Sequence, residues 1–92
     1  MVTAFVLISA KRDLIQETAQ ALSALEGVAE VYSVAGPFDI VAVIRVRTNE
    51  ELADLVTGHL LKVKGIERSE TLIAFRAFSK FDLERMFSIG ME

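Results

Sequence analysis

The turn Gly36-Pro37-Phe38-Asp39 concentrates groups able to recognise a small polar molecule. Gly36 leaves its backbone N–H open to a carboxylate, because no side chain stands in the way. Pro37 stiffens the turn and removes one donor. Asp39 brings a carboxylate to the start of a strand, for an α-ammonium or for the loop's own N–H groups. Further on, Ser69 and Thr71 stand two apart, so in a strand both hydroxyls face one way and can anchor a polar ligand. Each also has an ordinary use: Asp39 as a turn carboxylate, Ser69 and Thr71 as strand residues, Phe38 as a packed loop aromatic. The set reads as binding chemistry.

Catalysis has little support. The one histidine, His59, lies near the end of a helix beside its apolar stripe, where it serves the helix terminus better than it serves as a base. With zero cysteines there are no thiolate metal ligands, disulfides or thiol nucleophiles. No serine has a base partner, and Glu50-Glu51 opens a helix, where acids favour the dipole. No glycine-rich phosphate loop appears. The chain reads as a non-enzyme with no cofactor and no metal site.

The elements that position these groups follow from periodicity. Strand one covers about 3–9 and helix one about 13–25, with Asp13 and Gln16 as a capping pair and Ile15, Ala19, Leu22 and Leu25 inward. Strand two is 28–35 and strand three 39–46. Thr48 and Glu51 form a second capping box for a helix with Leu52, Leu55, Val56 and Leu60 inward. Strand four is 69–78, and Ser79 with Asp82 opens a tail helix carrying Phe81, Met86 and Phe87. The halves repeat: Gly27-Val28 and Gly65-Ile66 stand 38 positions apart, as do Leu22 and Leu60, Val34 and Leu72, and Ala4 and Ala42. Two β-α-β units in this order predict an α+β, ferredoxin-like βαββαβ sandwich with both helices on one face. The domain spans 1–79 and the tail helix 80–92.

Three of the strands are apolar on both sides. Val2, Ala4, Val6 and Ile8 oppose Phe5 and Leu7; Ile40, Ala42 and Ile44 oppose Val41, Val43 and Val46; Leu72 and Ala74 oppose Ile73 and Phe75. A half-solvated sheet alternates apolar and polar instead. The second face therefore calls for a cover, and a second copy of the chain is the simplest one. The alternative is a tail that folds back over the sheet. Composition agrees with a homodimer: 52% of residues are hydrophobic in a 92-residue chain, much apolar surface for a small domain to hide alone. No membrane span or signal-peptide pattern is present, so a cytoplasmic protein is expected. A net charge of −3 argues against direct nucleic-acid binding.

From Val28 to Val43 the sequence VAEVYSVAGPFDIVAV resembles the "V-x-x-x-x-x-V-x-G-x-x-D" stretch of the Lrp/AsnC effector domain, called RAM. Gly65-Ile66-Glu67-Arg68-Ser69-Glu70-Thr71 resembles its second signature, and the resemblance spans about 2–78. It implies a stand-alone effector module, since no helix-turn-helix has room before Thr3. It also implies face-to-face dimers of the dimeric α+β barrel type, assembling into higher oligomers, with a small amino-acid effector where dimers meet. Val34, Gly36, Pro37, Phe38, Asp39, Ser69 and Thr71 are then the ligand-binding set. Association with full-length Lrp/AsnC regulators would modulate transcription. Two other classes stay open: a small cofactor-free enzyme of the dimeric α+β barrel group, and an ACT-like amino-acid sensor.

Overall fold

Strand alternation and two helical crossovers place the apolar core of this fold. In a computed structural model describing residues 1–78, the elements are β1 (Val2–Ala10), α1 (Ile15–Ser23), β2 (Val28–Ser33), β3 (Ile40–Val46), α2 (Asn49–Gly58) and β4 (Ile66–Ile73). The sheet runs β2-β3-β1-β4 with every neighbouring pair antiparallel. This is the expected ferredoxin-like sandwich, and both helices lie on one face. Against them pack Ala4, Val6, Ile8 and Ala10 of β1 and Ile40, Ala42, Ile44 and Val46 of β3, with Leu22, Leu52, Leu55 and Leu60 from above. Burying each large aliphatic contributes about 1.5–3 kcal/mol. Val46 belongs to this face, opposite Val2, not with Val41 and Val43. Its even spacing from Ile40 requires that.

Element ends shift for local reasons. β4 starts at Ile66 rather than 69 and ends at Ile73 rather than 78. Its partner β1 fixes both limits: Lys11 N–H donates to the Gly65 carbonyl at 2.8 Å at one end, and Ala74 N–H to the Thr3 carbonyl at 2.9 Å at the other. Past Thr3 little of β1 is left to pair with. β2 ends at Ser33, and one further bond in the same register, from the Val34 N–H to the Asp39 carbonyl at 2.9 Å, closes the loop. Asp13 caps nothing; it sits inside a 3-10 turn, Arg12–Leu14, that leads into α1. α1 ends at Ser23, two residues short of the expected Leu25.

The second capping box forms as its pattern predicts on one side. The Glu51 N–H donates to Thr48 Oγ1 at 3.1 Å, but Glu51 Oε2 accepts from the Arg47 N–H at 3.0 Å rather than from Thr48. Gly27 (φ +96°) and Gly65 (φ +101°) both take the left-handed conformation leading into the next strand, so the repeat extends to backbone geometry. The tail helix, its Ser79–Asp82 cap and the boundary at 79 lie outside the described residues.

Candidate functional site

Antiparallel pairing brings the C-terminal end of β1, the N-terminal end of β4 and the loop joining β2 to β3 to one end of the sheet. Asp39 is the hinge of that corner. Its N–H donates to the Ile8 carbonyl and its Oδ2 accepts the Ala10 N–H, both at 2.9 Å. One carboxylate thus ties the loop to the last residue of β1. A carboxylate has about four lone-pair sites, so this bond leaves acceptor capacity for a ligand. Asp39 is half-buried and lines a cleft of about 440 Å³ with Ala10, Arg12, Ile15 and Glu67.

The remaining predicted residues divide. Val34, Gly36 and Pro37 are exposed on the loop, and Gly36 has φ +140° with open space where a Cβ would stand. Any L residue there would be strained although nothing touches it. Phe38 is half-buried, with the Arg68 guanidinium carbon 5.4 Å from its ring centre. That is cation–π range. Ser69 and Thr71 do share one face, as expected, but it is the helix-side face: they pair with Ile8 and Val6. β1 separates them from β3, and Thr71 lines a different groove, beside α2. Within one chain they do not join the Gly36–Asp39 loop.

Arg12, Glu67 and Arg68 stand outside the expected ligand set, although Glu67 and Arg68 fall within the second signature. Their signal was topological: Arg12 stands two residues past the end of β1 and Glu67 directly follows Gly65-Ile66, so both fall at the loop's end of the sheet. His59 is exposed just past α2, its backbone N–H donating to the Leu55 carbonyl at 3.1 Å. Among the described residues, no three His, Asp or Glu side chains gather as metal ligands, and no helix is long and apolar enough to cross a membrane.

The Lrp/AsnC ligand binding domain family matches residues 3–82. The chain belongs to this family. Among its relatives, an uncharacterized HTH-type transcriptional regulator of Pyrococcus furiosus is 38% identical over 76 residues, which cover 79% of this chain and 51% of the relative. The chain spans about half the length of the curated regulators it matches. A solved protein of Thermus thermophilus is 50% identical with a TM-score of 0.81, over 87% of this chain and all of that one. A feast or famine regulatory protein of M. tuberculosis, solved with L-methionine, is 26% identical with a TM-score of 0.72, over 87% of this chain and 54% of that one. Membership in the Lrp/AsnC family sets the ACT-like alternative aside.

Proposed function

We propose that the chain is an Lrp/AsnC-type effector module that holds a free α-amino acid in the cleft beside Asp39 and reports it through assembly. The observation that carries this reading is the charge pattern of the cleft. Arg12 is a cation, Asp39 and Glu67 are anions, and Ile15 and Ala10 give an apolar wall. An α-amino acid is the complementary object: its carboxylate suits the guanidinium fork, its ammonium suits the two acids, and its side chain lies along Ile15. The M. tuberculosis relative solved with L-methionine supports the ligand class. Val34, Gly36, Pro37 and Phe38 form the outer wall, where a neighbouring copy closes the site. Ser69 and Thr71 do not line this cleft; Thr71 lines the groove beside α2.

Assembly follows from the uncovered sheet face. Phe5, Tyr32 and Leu72 are exposed there, and a second copy laid face to face buries them. Higher oligomers bring loops of separate dimers together. The same face and loops allow co-assembly with full-length regulators of the family, which is how such a module would modulate transcription.

A thermal-shift screen of the twenty amino acids, followed by calorimetric titration, tests the reading. At about 100 times its dissociation constant a true effector adds roughly 2.7 kcal/mol to stability. Arg12→Ala is the clean variant, because Arg12 is exposed and outside the core; affinity falls by about 1.5–3 kcal/mol with unfolding unchanged. Asp39→Ala loses affinity and stability together, through the Ala10 N–H. Failure of every amino acid to bind, or unchanged affinity in Arg12→Ala, overturns the site.

A further inference from the structure

Every wall of the cleft beside Asp39 is tied to one stretch, residues 10–18, which runs from the end of β1 into α1. Arg12 and Ile15 belong to that stretch. Asp39 is joined to it by the Ala10 N–H at 2.9 Å. Glu67 comes from the other half of the chain, and the sheet ladder does not fix its direction. Ala10 pairs with Ile66 and Ser9 with Arg68, so Glu67 is the unpaired residue of a β-bulge. A bulge bends its strand and re-aims a side chain. The turn before Glu67 must then set where its carboxylate points. Two hydrogen bonds hold that turn: the Lys11 N–H donates to the Gly65 carbonyl at 2.8 Å, and the Thr18 hydroxyl donates to the Lys64 carbonyl at 2.9 Å.

The Thr18 bond is not the usual use of a helical threonine, which turns its hydroxyl to solvent or to a carbonyl one turn back. Thr57 does the latter, donating to the Ala53 carbonyl at 2.7 Å. Thr18 is 1% exposed and reaches a carbonyl 46 residues away. The internal repeat shows that the fold manages such a corner without a hydroxyl. Gly27 has the same left-handed φ, and its carbonyl also accepts a strand N–H, from Arg45 at 3.0 Å. Yet the residue 38 positions after Thr18 is Val56, which has no donor to offer. Of the two corners, the one beside the cleft has the hydroxyl. We infer that Thr18 is a positioning residue for the cleft, holding the Lys64-Gly65 turn so that Glu67 faces the same ligand ammonium as Asp39, a role that rests on the amino-acid reading of the site. Thr18 itself touches no ligand.

The test is calorimetric titration of the full-length protein, at a temperature where circular dichroism shows every variant folded. The probes are L-methionine and whichever of the twenty amino acids raises the melting temperature most. Thr18→Val keeps the shape and removes the donor; affinity should fall about three- to tenfold. Thr18→Ser, which restores the hydroxyl, should bind within about twofold of wild type. Added to Glu67→Gln, Thr18→Val should cost nothing further, because the group it positions is already lost. Wild-type affinity in a destabilised Thr18→Val makes the hydroxyl merely structural, and a full loss that persists in Glu67→Gln means it does not act through Glu67; both overturn the inference. If wild type binds none of the probes, the amino-acid reading fails first and takes the inference with it. A measurement on wild type alone covers the case in which Thr18→Val does not fold. Ligand and clasp must stabilise each other reciprocally, so saturating ligand should slow hydrogen exchange at the Lys11 amide more than at the Arg45 amide of the Gly27 corner. Equal slowing at both corners also overturns the inference.

Discussion

The two central strands, β1 and β3, put large apolar residues on both faces of the sheet, and the two faces meet opposite fates. Toward the helices, Ala4, Val6, Ile8, Ile40, Ala42 and Ile44 are wholly buried. On the other side Phe5, Tyr32 and Leu72 stay exposed, and Leu7 and Val41 are half-buried. The open face also carries charge, with Glu30, Arg45 and Glu70 among its apolar residues, but connectivity decides which face the helices cover. Both β-α-β crossovers turn the same way and put both helices on one side. Residues on the covered face therefore set the stability of the single chain, while residues on the open face are free to set association. Val43 marks where that division blurs. It lies on the open side opposite Phe5 and Glu30 yet is buried, so it packs within the single chain while facing away from the helices.

The largest expected effect breaks the comparison directly. Ile8→Ala removes a wholly buried side chain from the covered face and should lower the unfolding free energy by about 2–5 kcal/mol, read from denaturant midpoints. Leu72→Asp, on the open face and 52% exposed, should leave a folded chain with a circular dichroism spectrum like wild type. Sedimentation should show it falling to single-chain mass at micromolar concentration, because assembly would bury an unpaired charge. If Leu72→Asp stays assembled, the open face is not the contact. If it unfolds the chain, the two faces do not divide the work.

The next contrast uses the two glycine corners, which share a conformation but not their surroundings. A Cβ on Gly65 would stand 2.2 Å from Thr18 Oγ1, whereas one on Gly27 would meet the far ends of Leu55 and Val46 at 3.0 and 3.1 Å. Thr18 is buried, and its hydroxyl donates to the Lys64 carbonyl at 2.9 Å. Gly65→Ala must push that hydroxyl away and break its bond as well as strain φ. Both substitutions destabilise by more than about 1 kcal/mol through φ alone, and Gly65→Ala should exceed Gly27→Ala by the roughly 1–3 kcal/mol of an orphaned buried polar group. Equal losses in chemical denaturation would mean that α1 moves aside.

This pair also shows what was legible in the sequence. The 38-residue repeat marked both corners, and strand alternation led to the fold and the two-sided apolar sheet. Thr18 was not legible, because a threonine inside a helical pattern does not reveal that a carbonyl 46 residues later will meet it. Asp39 was singled out by its motif, but the residues it lines a cleft with were not. Ser69 and Thr71 share a face by their spacing, and spacing alone does not say which face; only pairing with Ile8 and Val6 settles that. Arg12 and Glu67 come from different halves of the chain, so no local window contains both.

The smallest effect sharpens the open face itself. There the Glu30 carboxylate accepts the Tyr32 hydroxyl and pairs with the Arg45 guanidinium at 3.3 Å. The hydroxyl first, and then the guanidinium, hold the Glu30 pKa below the ordinary carboxylate value, while the same bond raises that of Tyr32. A lowered Glu30 pKa contributes stability in full above the unfolded value of about 4.3, lost as pH falls through the lower folded value. A raised Tyr32 pKa contributes below about 10, lost as pH rises through the higher folded value. All three groups are exposed, so both contributions are slight, and Glu30→Gln should only flatten the acid limb of the stability curve. The sharper measurement is the Glu30 carboxyl titration by NMR, in wild type at assembling concentration and in Leu72→Asp. If copies meet on this face, the cluster loses water in the assembled state and the two titrations differ. Identical titrations would put the cluster outside the contact and confine the interface to the strip around Phe5, Val41 and Leu72.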